Sequence, residues 1–420
     1  MIWRLPYTLL LHLLLPLIVL RLWLRARRQR GYLDHVGERF GRFDLAIAPP
    51  LIWVHAVSVG ETQAARPLIE QLLARYPDHQ ILLTHMTVTG RATSGALFAD
   101  EPRVHRAYLP YDFPWAVRAF LTRFKPRLGI ILETELWPNL FAAASARGIP
   151  LVLANARLSE KSARGYRRVA PLVKDALRHL RLVAAQSTAD ASRLEALGAR
   201  GVAVMGNVKF DAHPPADKLA LGALFKSRIG DRKVLLAAST REGEEPAILD
   251  ACAKLPDAVL LVIVPRHPER FEAVAAEIAA RGLAFQRRSS DQPIAAQTRV
   301  LLGDSMGEMF AYYSAADVAF VGGSLACLGG QNLIEACSVG TPVLVGPHTF
   351  NFEEVTREAI AAGAAKRIRD ADQLASLALE ILCDDTAREG MSAAGRHFAE
   401  IHRGATHRLM SALENLLSRG

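Results

Sequence analysis

Cysteine is scarce in this chain and never falls in a metal-binding spacing. The four thiols among 420 residues are Cys252, Cys327, Cys337 and Cys383. No C-x-x-C string occurs, which excludes the common zinc frameworks and a disulfide-stapled scaffold. All four read as buried thiols in a reducing compartment. Low-complexity tracts and short internal repeats are missing, so neither a disordered arm nor a solenoid is expected. Half the residues are hydrophobic, enough for a large core, and the length predicts two or three domains.

Acidic residues are outnumbered, 42 against 51 Lys and Arg, giving a formal net charge of +9. Such a balance favours an anionic partner: nucleic acid, acidic lipid or a phosphorylated substrate. The positive charge is not spread evenly. Arg21, Arg25, Arg27, Arg28 and Arg30 crowd beside one apolar run, Leu5–Leu24. That placement favours anionic membrane lipids and argues against nucleic acid.

As a helix the run would be about 30 Å long, the thickness of a bilayer core. Pro16 would kink it, and His12 and Arg21 lower its hydrophobicity. A secretory signal carries its positive charge before the apolar run and small residues at a cleavage site. Here Arg4 alone precedes the run, the arginine cluster follows it, and no A-x-A-like site comes after. An uncleaved membrane anchor over residues 1–30, spanning or embedded, is therefore expected, with its basic flank on the cytoplasmic side. The alternative is a soluble helix packed on the body.

Beyond Arg30 the pattern turns to α/β. Short apolar segments at Leu51–Ala56, Ile81–Thr84, Arg106–Leu109, Leu128–Glu133, Pro150–Ala154, Leu182–Ala185 and Val202–Met205 read as strands between helices. The rhythm restarts at Lys233–Ser239, Ala258–Val264, Val300–Leu302, Val318–Val321 and Pro342–Val345. Two Rossmann-like, doubly wound domains follow, 31–211 and 218–420, with Asp211–Asp217 as the linker. The second is expected to include the terminal helices. Such domains bind ligands beyond the carboxyl ends of their strands, which predicts a shared cleft.

The chemistry-bearing strings sit at those strand ends. Gly322-Gly323-Ser324 ends one strand, and Gly329-Gly330-Gln331-Asn332-Leu333-Ile334-Glu335 opens the next helix. Glycines let backbone approach a phosphate, the helix start attracts it, and Glu335 is placed to accept from ribose hydroxyls. Ser239, Thr240 and Arg241 follow another strand and offer hydroxyls, amides and charge to a phosphate, although the string also reads as a capping box. Pro265 and Arg266 follow the next strand, and Met306-Gly307 a fourth, where Met306 would lie on a flat base or fill core.

In the first domain Ser58, Gly60 and Glu61, then Glu135, then Asn155, Arg157 and Ser159, then Lys209, mark four polar loops on one sheet edge. Each alone reads as a cap or a solvated carboxylate. Glu38, in Gly37-Glu38-Arg39-Phe40-Gly41, reads from the residues alone as a surface carboxylate.

Together these strings resemble the 3-deoxy-D-manno-octulosonic acid (Kdo) transferases, which have the glycosyltransferase B fold. The matching stretches are GERFG at 37–41, HAVSVGE at 55–61, TELWPN at 134–139, NARLSEKS at 155–162, GNVKFD at 206–211, PRHPER at 265–270, GDSMGEM at 303–309 and GGQNLIEA at 329–336. The resemblance implies CMP-Kdo as donor, a lipid A precursor (lipid IVA) in the inner membrane as acceptor, and inversion without a metal or other cofactor. It makes Glu38 the general base. It assigns Ser239, Thr240, Arg241, Pro265, Arg266, Met306, Gly307, Gly329, Gly330, Asn332, Glu335 and Lys209 to the donor, and leaves the first-domain loops to the acceptor. Asp370-Ala371-Asp372, the one D-x-D string, then reads as a helix cap and not a metal site. The competing reading is a UDP-sugar epimerase of the same fold, or another membrane-bound nucleotide-sugar transferase. A non-catalytic nucleotide-binding protein is a third.

Overall fold

The computed structural model describes residues 3–28 and 31–418. Arg30 and the side chain of Arg28, both part of the basic flank read from the sequence, lie outside that description. The apolar run forms helix α1, Arg4–Arg28, and the GERFG string opens with a single turn, α2, Val36–Arg39.

Two compact units follow. The first is built on β1 Leu51–His55, β2 Gln80–His85, β3 Val104–Tyr108, β4 Leu128–Leu132, β5 Leu151–Ala156, β6 Leu182–Ala185 and β7 Val202–Val204. These strands pair in parallel in the order β3-β2-β1-β4-β5-β6-β7. Every residue of β1 and β4 is buried, the continuous apolar pattern of a sheet covered on both faces. Trp53 in β1 pairs in register with Gly129 of β4, and its indole donates to Thr84 Oγ1 at 2.8 Å. A Cβ at position 129 would lie 2.7 Å from the Trp53 ring and 2.5 Å from Leu151, so only glycine fits that close approach.

The second unit carries β8 Lys233–Thr240, β9 Val259–Pro265, β10 Phe285–Arg287, β11 Val300–Leu302, β12 Val318–Val321, β13 Val343–Val345 and β14 Ala365–Arg367. Their parallel order is β10-β11-β9-β8-β12-β13-β14. The chain order reverses between β1 and β4 in the first sheet and between β8 and β12 in the second. Loops leaving those strands therefore open onto the switch points where doubly wound sheets bind ligands.

Several expectations are corrected here. The two edge strands of the second sheet, β10 and β14, are absent from the sequence reading because Phe-Gln-Arg and Ala-Lys-Arg carry no apolar run. The second domain does not run to residue 420. The last helix, Ala405–Leu417, belongs to the first unit, which comprises 1–212 and 403–420, while 213–402 form the second. Its buried Leu409, Leu413 and Leu417 join the core under β1, β2 and β4. Asp211, expected at the edge of a linker, instead caps that helix by accepting the Gly404 amide at 2.6 Å, along with the amide of Thr406. Finally, Cys252 and Cys337 are buried as expected, but Cys327 and Cys383 are exposed.

Candidate functional site: two switch-point half-sites

In the first unit the decisive groups are carboxylates, held by side chains and by single backbone amides. Glu38 is not the surface residue its local sequence suggests, being only 8% exposed. Oε2 accepts the Tyr108 amide at 2.7 Å and a bond from Arg91 Nη1, and Oε1 accepts from Arg91 Nη2 at 3.3 Å. His35 Nδ1 stands 3.8 Å away. The guanidinium of Arg91 lies 4.9 Å over the Tyr108 ring, so the same tyrosine fixes the cation that fixes the carboxylate.

The β1 loop is closed by the Glu61 carboxylate of the helix that follows it. Ser58 is the N-cap of α3, Val59–Arg75; its hydroxyl donates to Glu61 Oε1 at 3.2 Å, and Glu61 Oε2 accepts the Val57 amide at 2.8 Å. Burial, reinforced by the charge of Glu133 and then of Glu135, pushes the Glu61 carboxyl up to about 8. Glu133, in the left-handed region at φ 58, pairs with Lys209 Nζ at 3.0 Å. Glu135 Oε2 lies 3.3 Å from His55 Nε2 and accepts from the Trp137 indole at 3.0 Å. His55 is held from the other side by Thr84 Oγ1, 2.8 Å from Nδ1.

The remaining first-unit residues divide. Asn155, buried at φ 54, accepts the Val208 amide at 3.1 Å and so shapes the turn that carries Lys209. Ser159 caps the helix Glu160–Arg167, with the Ser162 amide 3.1 Å from its hydroxyl. Arg157 is tied to the β4 loop through its backbone, donating to Thr134 Oγ1 at 3.1 Å. Gly60 is exposed, with nothing within 4 Å of a Cβ built there. Lys209, expected with the donor residues, lies in the first unit on Glu133.

The second switch point is organised by backbone amides. Glu244, four residues beyond Thr240 in the string that also reads as a capping box, is 1% exposed. Its Oε2 accepts the amides of Arg241 at 3.0 Å and Gly323 at 2.6 Å; its Oε1 accepts those of Leu325 at 2.8 Å and Ala326 at 3.1 Å. One side chain thus staples the loop after β12 to the loop after β8. The approach of the two loops is close enough that a Cβ at Gly322 would lie 2.6 Å from the Ser239 carbonyl oxygen.

Ser239 sits at φ 54, Thr240 is fully buried, and the Arg266 amide donates to the Thr240 carbonyl at 2.9 Å. Ser239, Thr240, Arg241, Pro265 and Arg266 therefore form one connected edge. Gly329 and Gly330, at φ 90 and 73, make the turn into the short helix Ile334–Val339. The Gln331 and Gly330 amides are bonded to the Gly322 and Gly323 carbonyls, at 3.0 and 2.8 Å. Asn332 Oδ1 takes the Ile334 amide at 3.1 Å, and its Nδ2 donates to Glu335 Oε1 at 3.1 Å. Met306 is 53% exposed beside Gly307 at φ 75, so it is surface and not core filler.

Comparison with known proteins places this arrangement. Residues 34–212 match the family model described as 3-Deoxy-D-manno-octulosonic-acid transferase (kdotransferase), and 248–398 match Glycosyl transferases group 1. The 3-deoxy-D-manno-octulosonic acid transferase of Bordetella pertussis is 47% identical over 98% of this chain and 99% of its own. That of Haemophilus influenzae is 38% identical over 99% of each. In fold, the chain is like the UDP-GlcNAc 2-epimerase from Neisseria meningitidis, with TM-score 0.59 at 16% identity over 87% of this chain and 100% of that one. The full-length likeness to the transferases makes this chain a glycosyltransferase of the glycosyltransferase B fold that belongs to the 3-deoxy-D-manno-octulosonic acid transferase family.

Proposed function

We propose that the chain transfers Kdo from CMP-Kdo to a lipid A precursor, with the acceptor held by the first unit and the donor by the second. Kdo transfer in lipopolysaccharide core biosynthesis is the activity of the family. In this reading the acceptor hydroxyl oxygen attacks the anomeric carbon, the bond from that carbon to the phosphate oxygen breaks, and CMP leaves with the electron pair. The hydroxyl proton passes to Glu38, and the configuration inverts. A general base must be held in place and within reach of the proton it takes. The observation that carries the assignment is the pinning of both Glu38 oxygens by Arg91 and the Tyr108 amide.

The donor edge is Ser239, Thr240, Arg241, Pro265 and Arg266, with Gly329, Gly330, Asn332, Glu335, Met306 and Gly307 beside it. Charge developing on the departing phosphate is stabilised there by Arg241, Arg266 and fixed dipoles, in place of a metal. The one D-x-D string favours this: Asp370 caps the helix Ala371–Cys383, accepting the Gln373 amide at 2.8 Å, and Asp372 pairs with Lys254. The chain works at the cytoplasmic face of the inner membrane.

The test is incubation of solubilised protein with a tetraacylated lipid A precursor and CMP-Kdo, in chelator, with the lipid product weighed. A gain of whole Kdo units supports the reading and its metal independence. No gain on a competent lipid, with UDP-sugar turnover in the absence of lipid, would replace it by the epimerase reading that the fold neighbours allow.

A further inference from the structure

Helix α1 is attached to the first unit along its whole length. Positions 4, 7, 8, 11, 15, 18, 22 and 26 are buried or half-buried, a stripe recurring every three or four residues. At its polar end, Arg4 Nε pairs with Asp175 at 2.9 Å, and Tyr7 donates to Asp112 Oδ2 at 3.0 Å. Thr8 and Asn139 exchange bonds at 2.9 and 3.1 Å, and the His12 ring packs edge-on against Phe113.

With α1 in place, Asp112, Asn139 and Asp175 are buried. Desolvation pushes the Asp112 carboxyl up to about 7 even with its partners in place. Taking α1 away would break the bonds it makes to two carboxylates and an amide that it helps to bury. A helix crossing a bilayer would have to do that. A helix of 25 residues is about 37 Å long, so a spanning geometry would carry Arg4 far from Asp175.

The rest of the helix surface is apolar and open. Leu5 and Leu13 are 67% and 70% exposed, and Leu9, Leu17, Leu20 and Leu24 continue the same surface. Trp3 and Trp23 are exposed at the two ends, and Arg21, Arg25 and Arg27 cluster at one. The apolar surface does not stop at α1. Phe113 stacks on exposed Trp115, and Trp115 on Phe40 of the turn that carries Glu38. An uninterrupted leucine face, tryptophans at its ends and a basic flank fit one occupant, the surface of an anionic bilayer.

We propose that α1 does not cross the membrane but lies in its plane, docked lengthwise on its own unit, with the leucine face in the acyl layer and the Glu38 turn at headgroup level. This rests on the reading that the acceptor is a membrane lipid. It gives that acceptor a route: its chains stay in the bilayer while its sugar reaches Glu38 across the Phe40–Trp115 surface.

The experiment uses the full chain carrying Trp3→Cys, with exposed Cys327 and Cys383 as markers of the body. A membrane-impermeant maleimide is applied to inside-out inner-membrane vesicles and, separately, to spheroplasts. The in-plane helix predicts that position 3 and both markers react in inside-out vesicles and none of them in spheroplasts. Reaction at position 3 in spheroplasts alone would overturn it. A Thr8→Cys, Asn139→Cys pair is the second measurement: the proposal expects most of the membrane-bound chain to cross-link and stay membrane-bound, and a pair that forms only in chain released from the membrane contradicts it. A chain that dimerises through α1 without binding anionic vesicles contradicts it as well. Kdo transfer is assayed on the same preparations. Transfer by a spanning chain sinks this proposal alone, and an in-plane chain with no transfer sinks the functional reading alone.

Discussion

The two units share a strand arrangement and differ in how each fixes its switch point. In the first, side chains hold one another: Glu38 with Arg91, Glu133 with Lys209, Glu135 with His55. In the second, one carboxylate, Glu244, is bonded to four backbone amides, and Asn332 and Ser324 bond further amides nearby. The difference follows from the chemistry asked of each. Moving a proton needs ionisable groups that water has not already satisfied. Cradling a nucleotide needs loops whose path is fixed, with side chains such as Arg241 and Arg266 left to meet the phosphate.

The contrast can be broken most severely at Glu244. Glu244→Ala leaves several buried amides without acceptors, at about 1–3 kcal/mol each. The expected result is loss of several kcal/mol in unfolding of the second unit and loss of CMP binding, read by denaturant melts and titration calorimetry. Glu244→Gln, which keeps two acceptor sites on one oxygen, should retain part of both. An unchanged melt would mean that the loops are held by something else.

Next in size is Arg91→Met, which frees the Glu38 carboxylate from its cation. Turnover should fall by about 10²-fold or more, with CMP affinity unchanged, because the loss is confined to the positioning of the base. A fall in CMP affinity of the same size would blur the division between the units.

The smallest effect is a pH dependence. Glu61 is raised from 4.5 to about 8 in the folded chain. Its contribution to stability is therefore full below about 4.5 and is lost as the pH rises through about 8, since the unfolded chain releases that proton first. Glu61→Gln removes the ionisation, so melting temperature between pH 5 and 8 should decline less steeply than in the native protein. Equal slopes would show that Glu61 is ionised in the fold.

Much of this was readable from local sequence, and the exceptions share a cause. The buried strands announce themselves as apolar runs, and the glycine strings fall where the turns need positive φ. The short edge strands β10 and β14 do not, because an edge strand of three residues needs no apolar run. Glu38 looked solvated because what buries it, Arg91 and the Tyr108 amide, comes from 53 and 70 residues away. Glu244 looked like a local cap because three of its amide partners lie 79 to 82 residues on. The last helix was assigned to the wrong unit because the cap at Asp211 stands 193 residues before it. Short-range pattern finds elements; the groups that decide chemistry are held by contacts that pattern cannot see.

The most direct test of the central claim separates binding from chemistry in one variant, Glu38→Gln, which keeps the shape and one acceptor oxygen of the side chain. CMP affinity by calorimetry and Kdo transfer to lipid by mass spectrometry are measured on the same preparation. The account predicts unchanged CMP affinity with turnover reduced about 10²- to 10⁴-fold. Full turnover in Glu38→Gln would contradict it and move the general base elsewhere among the first unit's carboxylates.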